Sequence, residues 1–279
     1  MLATKRAVEF SLPGMRYFRI FLLHFQDVFQ NRGRSFIYFL MALLNPALQL
    51  LFWSGAIASN AGIESYWSFS DMASYYLLLT IATSFLVVHI EQDVAFLDIK
   101  EGRLSKFLLH PFPYFISKFM EELPWRIIQG LFGLGAFMLF IIITRISISF
   151  ISNPLQIIVA LVICLLALGI SYTLKMILGL LALWTTDFWG ILSIEEVIFL
   201  IFGGFVMPLT YYPELLEKVS YFLPIAYIVY FPVIAVQGKL TINEMYQVVI
   251  VQLIWVGVLY GLYRLIWHRG IRKYTGVGQ

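Results

Sequence analysis

The sequence is short of charged residues, and this shortage limits what the chain can be. Of its 279 residues, 13% are charged and 61% are hydrophobic, and the mean hydropathy is +0.85. Soluble proteins carry about 25% charged residues. Because so few polar side chains cannot cover a globule in water, the apolar excess must face lipid. The composition therefore excludes a soluble enzyme.

Residues and motifs that carry chemistry are also scarce. The single cysteine, Cys164, cannot form an intrachain disulfide, and the four histidines lack metal-ligand spacing. The sequence contains no Gly-x-x-x-x-Gly-Lys-Ser/Thr nucleotide loop, no His-Glu-x-x-His helix and no recognisable catalytic triad. The net charge is only +3, without a basic stripe interleaved with aromatics. We therefore expect no catalytic residue, no metal site, no cofactor in this chain and no nucleic-acid partner.

What the sequence does contain is a series of charge-free windows. A helix of about 20 apolar residues crosses a hydrocarbon core of roughly 30 Å. Windows without Asp, Glu, Lys or Arg cover residues 35–63, 72–90, 127–144, 146–174 and 245–263. A sixth span fits residues 188–207, although it contains Glu195 and Glu196. The pattern predicts an all-α integral membrane protein with six transmembrane helices, which together form a domain over residues 35–267.

The loop charges give this domain an orientation. Residues 219–238 are charge-free, but Pro224 and Pro232 interrupt them, which predicts a re-entrant helical hairpin over residues 208–240. With six spans both termini share one side, and fifteen of the nineteen basic residues lie there, within residues 1–34, 98–126 and 264–273. Cytoplasmic flanks collect Lys and Arg. Both termini, including the tail 268–279, are therefore predicted to be cytoplasmic and the hairpin to be outside.

Two cytoplasmic segments have helical, amphipathic patterns. Within residues 1–34, Phe18, Phe21, Leu22 and Phe25 recur at helical spacing, which predicts an interfacial helix, with a simple basic anchor as the alternative. Residues 98–111 also predict a short amphipathic helix, with a solvated loop as the alternative. This segment carries both charge signs and places Leu104, Phe107 and Leu108 on one face.

Charges inside the bilayer are costly and usually mark a transport path or an ion pair. If the fourth and fifth spans turn near Thr185, then Lys175 and the pair Glu195 and Glu196 lie at matching depth. We therefore predict an ion pair between Lys175 and one of these glutamates, either as a packing lock or as the lining of an inner cavity. The alternative is that Lys175 extends to the interface and the glutamates face water.

Two further groups have ordinary explanations. Lys118, Glu121, Glu122 and Arg126 surround Pro124, which predicts a solvated, self-paired start of the third span. Gly257 and Gly261 in the last span permit close helix packing, within the subunit or across a dimer.

The order of these features resembles the permease subunit of ABC-2 type transporters, and within that class the daunorubicin-resistance-like exporter permeases. The resemblance rests on degenerate motifs that extend over nearly the whole chain. They are Glu101-Gly102-Arg103-Leu104 with Leu108 to Pro111, Met207-Pro208-Leu209, Tyr212-Pro213, Leu223-Pro224, Gly238 and the segment Arg272 to Gly278.

The resemblance implies partners and site residues that composition does not. Residues 98–111 would be a coupling helix, acting through Glu101, Gly102, Arg103, Leu104, Phe107 and Leu108. It would dock on a separate ABC ATPase subunit that binds ATP and Mg. Two permease copies, or close homologues, would form a path through a bacterial plasma membrane for an amphipathic, lipid-like or lipid-linked substrate. An extracellular gate would comprise Met207, Pro208, Tyr211, Tyr212 and Pro224.

Other functions stay open on the sequence. One is a proton-coupled secondary transporter that uses Glu195 and Glu196, although no inverted repeat is visible and acids at membrane depth occur on one span only. A membrane-embedded lipid-modifying transferase would need clustered carboxylates or histidines at one depth, which only these glutamates offer. A permease half that exports polysaccharide is the third alternative.

Overall fold

The computed structural model describes residues 20–26, 32–58, 67–109 and 112–274. Most of the predicted interfacial helix, residues 110–111 of the predicted coupling helix and the last five residues lie outside these ranges. Residues 20–26 are helical, and the described parts of the chain contain no β-strand. The predicted all-α class is therefore confirmed for the described residues.

The helices follow one another along the chain with short connections. In chain order they are α1 (Arg32–Ala58), α2 (Phe69–Leu86), α3 (Leu104–Leu109), α4 (Tyr114–Thr144), α5 (Pro154–Leu180), α6 (Trp189–Phe202), α7 (Glu214–Phe222), α8 (Tyr230–Gln237) and α9 (Ile242–Gly270). A π-helical segment, Asp93–Lys100, precedes α3, and 3-10 turns cover Leu181–Leu183 and Leu209–Tyr211.

Helices of membrane-spanning length make up much of the described chain. Tyr114–Thr144, Pro154–Leu183 and Ile242–Gly270 are long and apolar enough to cross a bilayer, and α1 contains a shorter apolar stretch, Phe39–Gly55. The helix expected over 188–207 is shorter than predicted, since α6 has 14 residues and ends at Phe202. At 1.5 Å per residue it is about 21 Å long, less than a hydrocarbon core of roughly 30 Å. It stops because a turn follows at Gly203 and Gly204, and Gly204 has a φ of 79°.

Two predicted helix starts are wrong. The window 146–174 predicts a helix from residue 146, but α5 begins at Pro154, where Asn153 caps it by accepting a hydrogen bond from the Leu155 amide at 2.9 Å. The preceding residues 145–153 form a non-helical loop whose Ile151 amide donates to the Val236 carbonyl at 3.1 Å. The third span begins earlier than expected, at Tyr114, so Pro124 lies inside α4. Apolar composition does not reveal these boundaries.

Helix α2 lies at the centre of the fold, where it packs against α1, α4, α5 and α8. Its residues Tyr75 and Tyr76 are buried, although tyrosine usually keeps its hydroxyl in water. Helix α9 packs mainly along α5, and the buried Gln252 side chain ties them by donating to the carbonyls of Ile163 and Tyr227, each at 3.0 Å. These contacts hold the helices around α2 and α5 in place.

Residues 208–240 form short helices and turns, with no helix of spanning length. Helices α7 and α8 are separated by turns over 224–229, and Gly238 ends α8 with a φ of 81°. Elsewhere, a Cβ placed on Gly257 or Gly261 would meet no atom of the described chain within 4 Å. Among the described residues nothing packs on this glycine pair, and both glycines face outward from α9.

Candidate functional site

Two adjoining cavities lie between α1, α2, α4, α5 and α6. The first, which we call the neutral cavity, is about 510 Å³ and exposes the uncharged polar side chains of Asn45, Gln49, Thr80 and Gln129. The second, the charged cavity, is about 400 Å³ and is lined by Glu91, Lys175, Glu195 and Glu196, among others. The two cavities meet at Thr83, His89, Leu200 and Phe205, which line both. Together they form one joint cavity, whose walls are mostly apolar and carry these polar and charged side chains.

The structure brings Lys175 and Glu195 together. The Nζ atom of Lys175 lies 2.9 Å from Oε1 of Glu195 and 3.1 Å from Oε1 of Glu91, and it sits 5.0 Å from the centre of the Phe199 ring. Lys175 and Glu91 are buried, and Glu195 is largely covered. Glu196 is exposed on the wall of the charged cavity. The lysine thus holds carboxylates from two separate parts of the chain.

Glu91 is the member of this cluster that the sequence did not reveal, because the charge-free window 72–90 ends directly before it. The expectation that acids at this depth occur on one span only is wrong, since Glu91 follows α2 and meets α5. Helix α5 approaches this segment closely at Gly179, where a Cβ would lie 2.7 Å from the Val94 side chain and 2.9 Å from the Glu91 carbonyl oxygen. The lack of a side chain at Gly179 therefore allows Glu91 to be buried against α5.

The charged group at the start of the third span is self-paired, as expected, but it is not solvated. Lys118 is 5% exposed, with Nζ 3.0 Å from Asp98 Oδ2 and 2.8 Å from Glu121 Oε2. The Tyr114 hydroxyl donates to the same Asp98 oxygen at 2.6 Å. Because α4 begins at Tyr114, this group lies on a packed helix turn and not at an open helix end.

Glu122 and Arg126 form a second buried pair on α4. The Nε atom of Arg126 lies 2.7 Å from Glu122 Oε1, and Arg126 also donates to the carbonyl of Val87, a residue on the wall of the charged cavity. Arg126 is 2% exposed, so the expectation of a solvated pair is wrong here too. The pair joins α4 to the chain that follows α2.

The predicted coupling helix over 98–111 is divided into two parts. The π-helical segment ends at Lys100, Gly102 has a φ of 81°, and α3 begins only at Leu104. Only glycine adopts this backbone conformation readily, which explains the break at this position. The single amphipathic helix expected for these residues is therefore wrong in its extent.

The apolar face predicted for Leu104, Phe107 and Leu108 is also divided, between buried and exposed side chains. Leu104 is fully buried, and the Phe107 ring packs 5.2 Å from the Tyr114 ring, so these two residues anchor α3. Leu108 and Leu109 are 46% and 86% exposed. Glu101 and Arg103 form an exposed ion pair with a separation of 2.9 Å. Helix α3 thus has a buried side that anchors it and an exposed apolar end.

The same region contacts the end of the last helix. The Tyr114 ring stacks on Trp267 of α9 with centroids 5.0 Å apart and an interplanar angle of 13°. The hydroxyls of Ser105 and Tyr274 lie 3.1 Å apart. Helix α3 is therefore linked to the start of α4 and to the residues that follow α9.

Aromatic hydrogen bonds lie beside the neutral cavity, which Tyr76 lines. Trp53 donates to the Tyr76 hydroxyl at 2.7 Å, and that hydroxyl donates to the Val206 carbonyl at 2.8 Å. The Tyr75 hydroxyl donates to the Gly204 carbonyl at 2.7 Å. Helix α2 thereby holds the turn that ends α6.

The residues predicted for an extracellular gate lie beyond this turn. Tyr211 packs 5.6 Å from Trp53, and the Tyr212 hydroxyl donates to the Ile201 carbonyl at 2.7 Å. Met207 packs against the core, Pro208 is buried, and the buried Pro224 begins the turns between α7 and α8. Tyr211 and Tyr212 therefore contact α1 and α6, Met207 and Pro208 lie in the segment directly after α6, and Pro224 belongs to the following turns.

Tyr221 of α7 lies in this same aromatic region. Its hydroxyl donates to Glu217 Oε1 at 2.9 Å, and burial raises its pKa far above the ordinary tyrosine value. It therefore stays a neutral hydrogen-bond donor.

Comparison with known families identifies the class of the protein. A family model described as "ABC-2 family transporter protein" matches residues 43–278, which include α2 to α9 and most of α1. The chain therefore belongs to the ABC-2 transporter family and is a membrane transport component. The match does not single out the daunorubicin-resistance-like subfamily, which stays a prediction. No curated protein matches the chain.

Proposed function

We propose that the chain is the permease half of an ABC exporter, which forms a translocation path with a second copy or a close homologue. The joint cavity supports this proposal, because polar and charged side chains at membrane depth are costly and usually mark a transport path. The uncharged groups of the neutral cavity beside apolar walls suit an amphipathic, lipid-like or lipid-linked substrate. The chain would cross a bacterial plasma membrane six times, with both termini cytoplasmic and residues 208–240 re-entering from outside.

In this proposal α3 receives the movement of a separate ATPase that binds ATP and Mg. The exposed Leu108 and Leu109, beside the Glu101–Arg103 pair, offer an apolar tip with a charged rim, which is a common composition of protein interfaces. The buried Leu104 and Phe107 would pass the movement inward to α4 and, through Tyr114, to α9. Gly102 would allow α3 to turn relative to the π-helical segment.

The aromatic hydrogen bonds at the opposite end would act as the gate. Opening there requires that the Tyr75 and Tyr76 hydroxyls release the turn after α6, and Met207, Pro208, Tyr211, Tyr212 and Pro224 would move with that turn. The charged cavity, lined by Lys175, Glu195 and Glu196, would form the inner part of the path.

A proton-coupled secondary transporter is the second candidate, and one observation favours it. Glu91 adds a second element to the acids around Lys175, as expected of a proton relay. Such a transporter would move its substrate in response to a pH gradient without ATP.

Inverted membrane vesicles separate these two candidates. We expect ATP-dependent uptake of one or more dyes from a panel of fluorescent amphiphiles when the chain is present together with the ABC ATPase that purifies with it. Omission of either protein should abolish the uptake. Uptake driven by a pH gradient alone, or the failure of any ABC ATPase to purify with the chain, would contradict the permease proposal.

A further inference from the structure

The second apolar segment of the chain is broken before it reaches α3. Helix α2 ends at Leu86, residues 87–90 are not helical, and helical structure resumes at Glu91. Three of the four residues in this break are buried, and the fourth, His89, lines both cavities. Backbone groups in such a break lack helical partners, so neighbouring helices must supply them.

Helix α4 holds the break from one side. Arg126 donates a hydrogen bond to the Val87 carbonyl, and Glu122 matches its charge, with Oε1 2.7 Å from Arg126 Nε. The Glu122 carboxylate also accepts a hydrogen bond from the His89 backbone amide. One buried ion pair on α4 therefore binds two backbone groups of the break.

Helix α5 holds the same segment from another side. The Val88 amide donates to the Ser171 hydroxyl at 3.0 Å, and Ser171 is fully buried. One turn further along α5, Lys175 binds Glu91 at 3.1 Å, directly after the break. Side chains of two helices thus replace helical hydrogen bonds that the break lacks. We call the set Arg126, Glu122 and Ser171 the backbone clamp.

The chain that follows the break leads directly to α3. It continues as the π-helical segment Asp93–Lys100, turns at Gly102 and enters α3 at Leu104. Movement of α3 therefore arrives at residues 87–90 from their inner side. A non-helical stretch without support would bend under such movement, whereas a stretch fixed to α4 and α5 transmits it to those helices.

We infer that the backbone clamp keeps the broken segment stiff, so that movement of α3 displaces α4 and α5 and is not lost by bending at residues 87–90. This inference rests on the proposed function, because it concerns how the work of the ATPase reaches the joint cavity. Arg126 and Ser171 line neither of the two cavities, and they act as positioning residues. Without them, ATP is hydrolysed with little transport.

Two substitutions loosen the backbone clamp without removing a buried charge. Ser171→Ala removes the acceptor of the Val88 amide. Arg126→Lys keeps a positive charge beside Glu122, but the lysine side chain is shorter and lacks the guanidinium fork, so the contact with the Val87 carbonyl is lost.

A matched control lies on the same helix. Thr173→Ala removes another buried hydroxyl of α5, which donates to the Gly169 carbonyl of its own helix at 2.8 Å. The control therefore resembles Ser171→Ala in burial and chemistry but does not touch the break.

The measured quantity is the ratio of dye taken up to ATP hydrolysed, in inverted vesicles that contain the chain and its ATPase. We expect this ratio to fall about fivefold in Ser171→Ala and Arg126→Lys, with ATP hydrolysis within about twofold of the wild type. Thr173→Ala should keep the wild-type ratio. A folding defect alone lowers the amount of assembled transporter, so it reduces uptake and hydrolysis together and leaves the ratio unchanged.

Hydrogen–deuterium exchange of the purified chain in detergent examines the break itself. The peptide that contains residues 87–91 should exchange slowly in the wild type and in Thr173→Ala. It should exchange faster in Ser171→Ala and Arg126→Lys, because backbone groups of the break lose their partners. This measurement needs neither ATP nor the ATPase.

A wild-type ratio of uptake to hydrolysis in both Ser171→Ala and Arg126→Lys would overturn the inference, and so would an equal fall in Thr173→Ala. Exchange at residues 87–91 that is as slow in both clamp variants as in the wild type would overturn it as well. Failure of the permease proposal gives a different result. In that case the wild-type chain itself shows no ATP-dependent uptake, and both proposals fall together.

Discussion

The two ends of the helical bundle are held together by different interactions. The end that we call the charged end contains three buried ionic groups, centred on Lys175, Lys118 and Arg126, each matched by carboxylates within 3.1 Å. The aromatic end is held by Trp53, Tyr75 and Tyr76, which make hydrogen bonds without net charge. The ion pair found near the aromatic end, Asp71 with Lys239, is partly exposed.

This difference suggests different behaviour at the two ends. Removal of one partner from a buried ion pair costs about 3–5 kcal/mol, whereas a neutral hydrogen bond contributes about 0.5–1.5 kcal/mol. The charged end should therefore keep its pairing in every conformation and move as a unit. Single neutral bonds at the aromatic end can open one at a time, as a gate requires.

The largest expected effect follows from Lys175→Met. The change leaves Glu91 and Glu195 buried without their cation, and we expect a loss of about 3–5 kcal/mol in the free energy of unfolding. Thermal unfolding of the purified protein in detergent measures it. The control Lys218→Met, which breaks an exposed pair with Glu214, should change stability by less than about 1 kcal/mol.

A double-mutant cycle sharpens the same point. Adding Glu195→Gln to Lys175→Met should recover part of the lost stability, because it removes one of the two unmatched charges. Adding Glu196→Gln should recover much less, since Glu196 does not pair with Lys175. If the stability loss of the double variant equals the sum of the two single losses, Lys175 and Glu195 are not coupled and the cluster is contradicted.

The next largest loss of stability is expected for a change at a strained backbone position of the aromatic end. In Gly204→Ala, the new Cβ would lie 2.6 Å from the Tyr75 hydroxyl in a residue with a φ of 79°. The conformational strain and the clash together should destabilise the protein by about 2–4 kcal/mol. The melting temperature measures this. Gly169→Ala on α5, where a Cβ meets nothing within 4 Å, should cost little.

Tyr76→Phe should have a smaller effect. It removes the hydroxyl that accepts from Trp53 and donates to Val206, and we expect a loss of about 1–3 kcal/mol, again from thermal unfolding. The control Tyr260→Phe changes an exposed tyrosine on α9 and should be close to neutral. An equal loss in both variants would show that the aromatic end is not held by this hydroxyl.

The smallest effect on stability is expected for Glu101→Gln, because its pair with Arg103 is exposed. The melting temperature should stay within experimental error of the wild type. If α3 docks on the ATPase, the amount of ATPase that purifies with the chain should nevertheless fall. A large loss of stability would place Glu101 in the fold and not at an interface.

Much of the helical framework could be predicted from sequence. Charge-free windows locate long helices, because lipid selects apolar composition. They do not locate helix ends, which depend on local signals such as the Asn153 cap and the turn at Gly204. Residues 146–153 carry no charge, so a charge-free window joins this loop to the span that follows it.

The candidate site was only partly predictable for a related reason. The turn near Thr185 brings Lys175 and Glu195 to the same depth, so local geometry suffices for that pair. Glu91 reaches the same lysine from a distant part of the chain, through a close approach at Gly179 that no periodicity reveals. The burial of Lys118 and Arg126 likewise depends on tertiary packing, since both have the spacing of an ordinary surface pair.

The central claim is that a separate ATPase acts on the charged end, and two exposed leucines test it directly. In a Cys164→Ser background, Leu109→Cys on α3 and Leu215→Cys on α7 each carry a maleimide photo-crosslinker, at positions 86% and 74% exposed. In membranes that contain both subunits, we expect Leu109→Cys to cross-link to the ABC ATPase and Leu215→Cys to leave it untouched. Cross-linking from Leu215→Cys, or from neither position, would contradict the account.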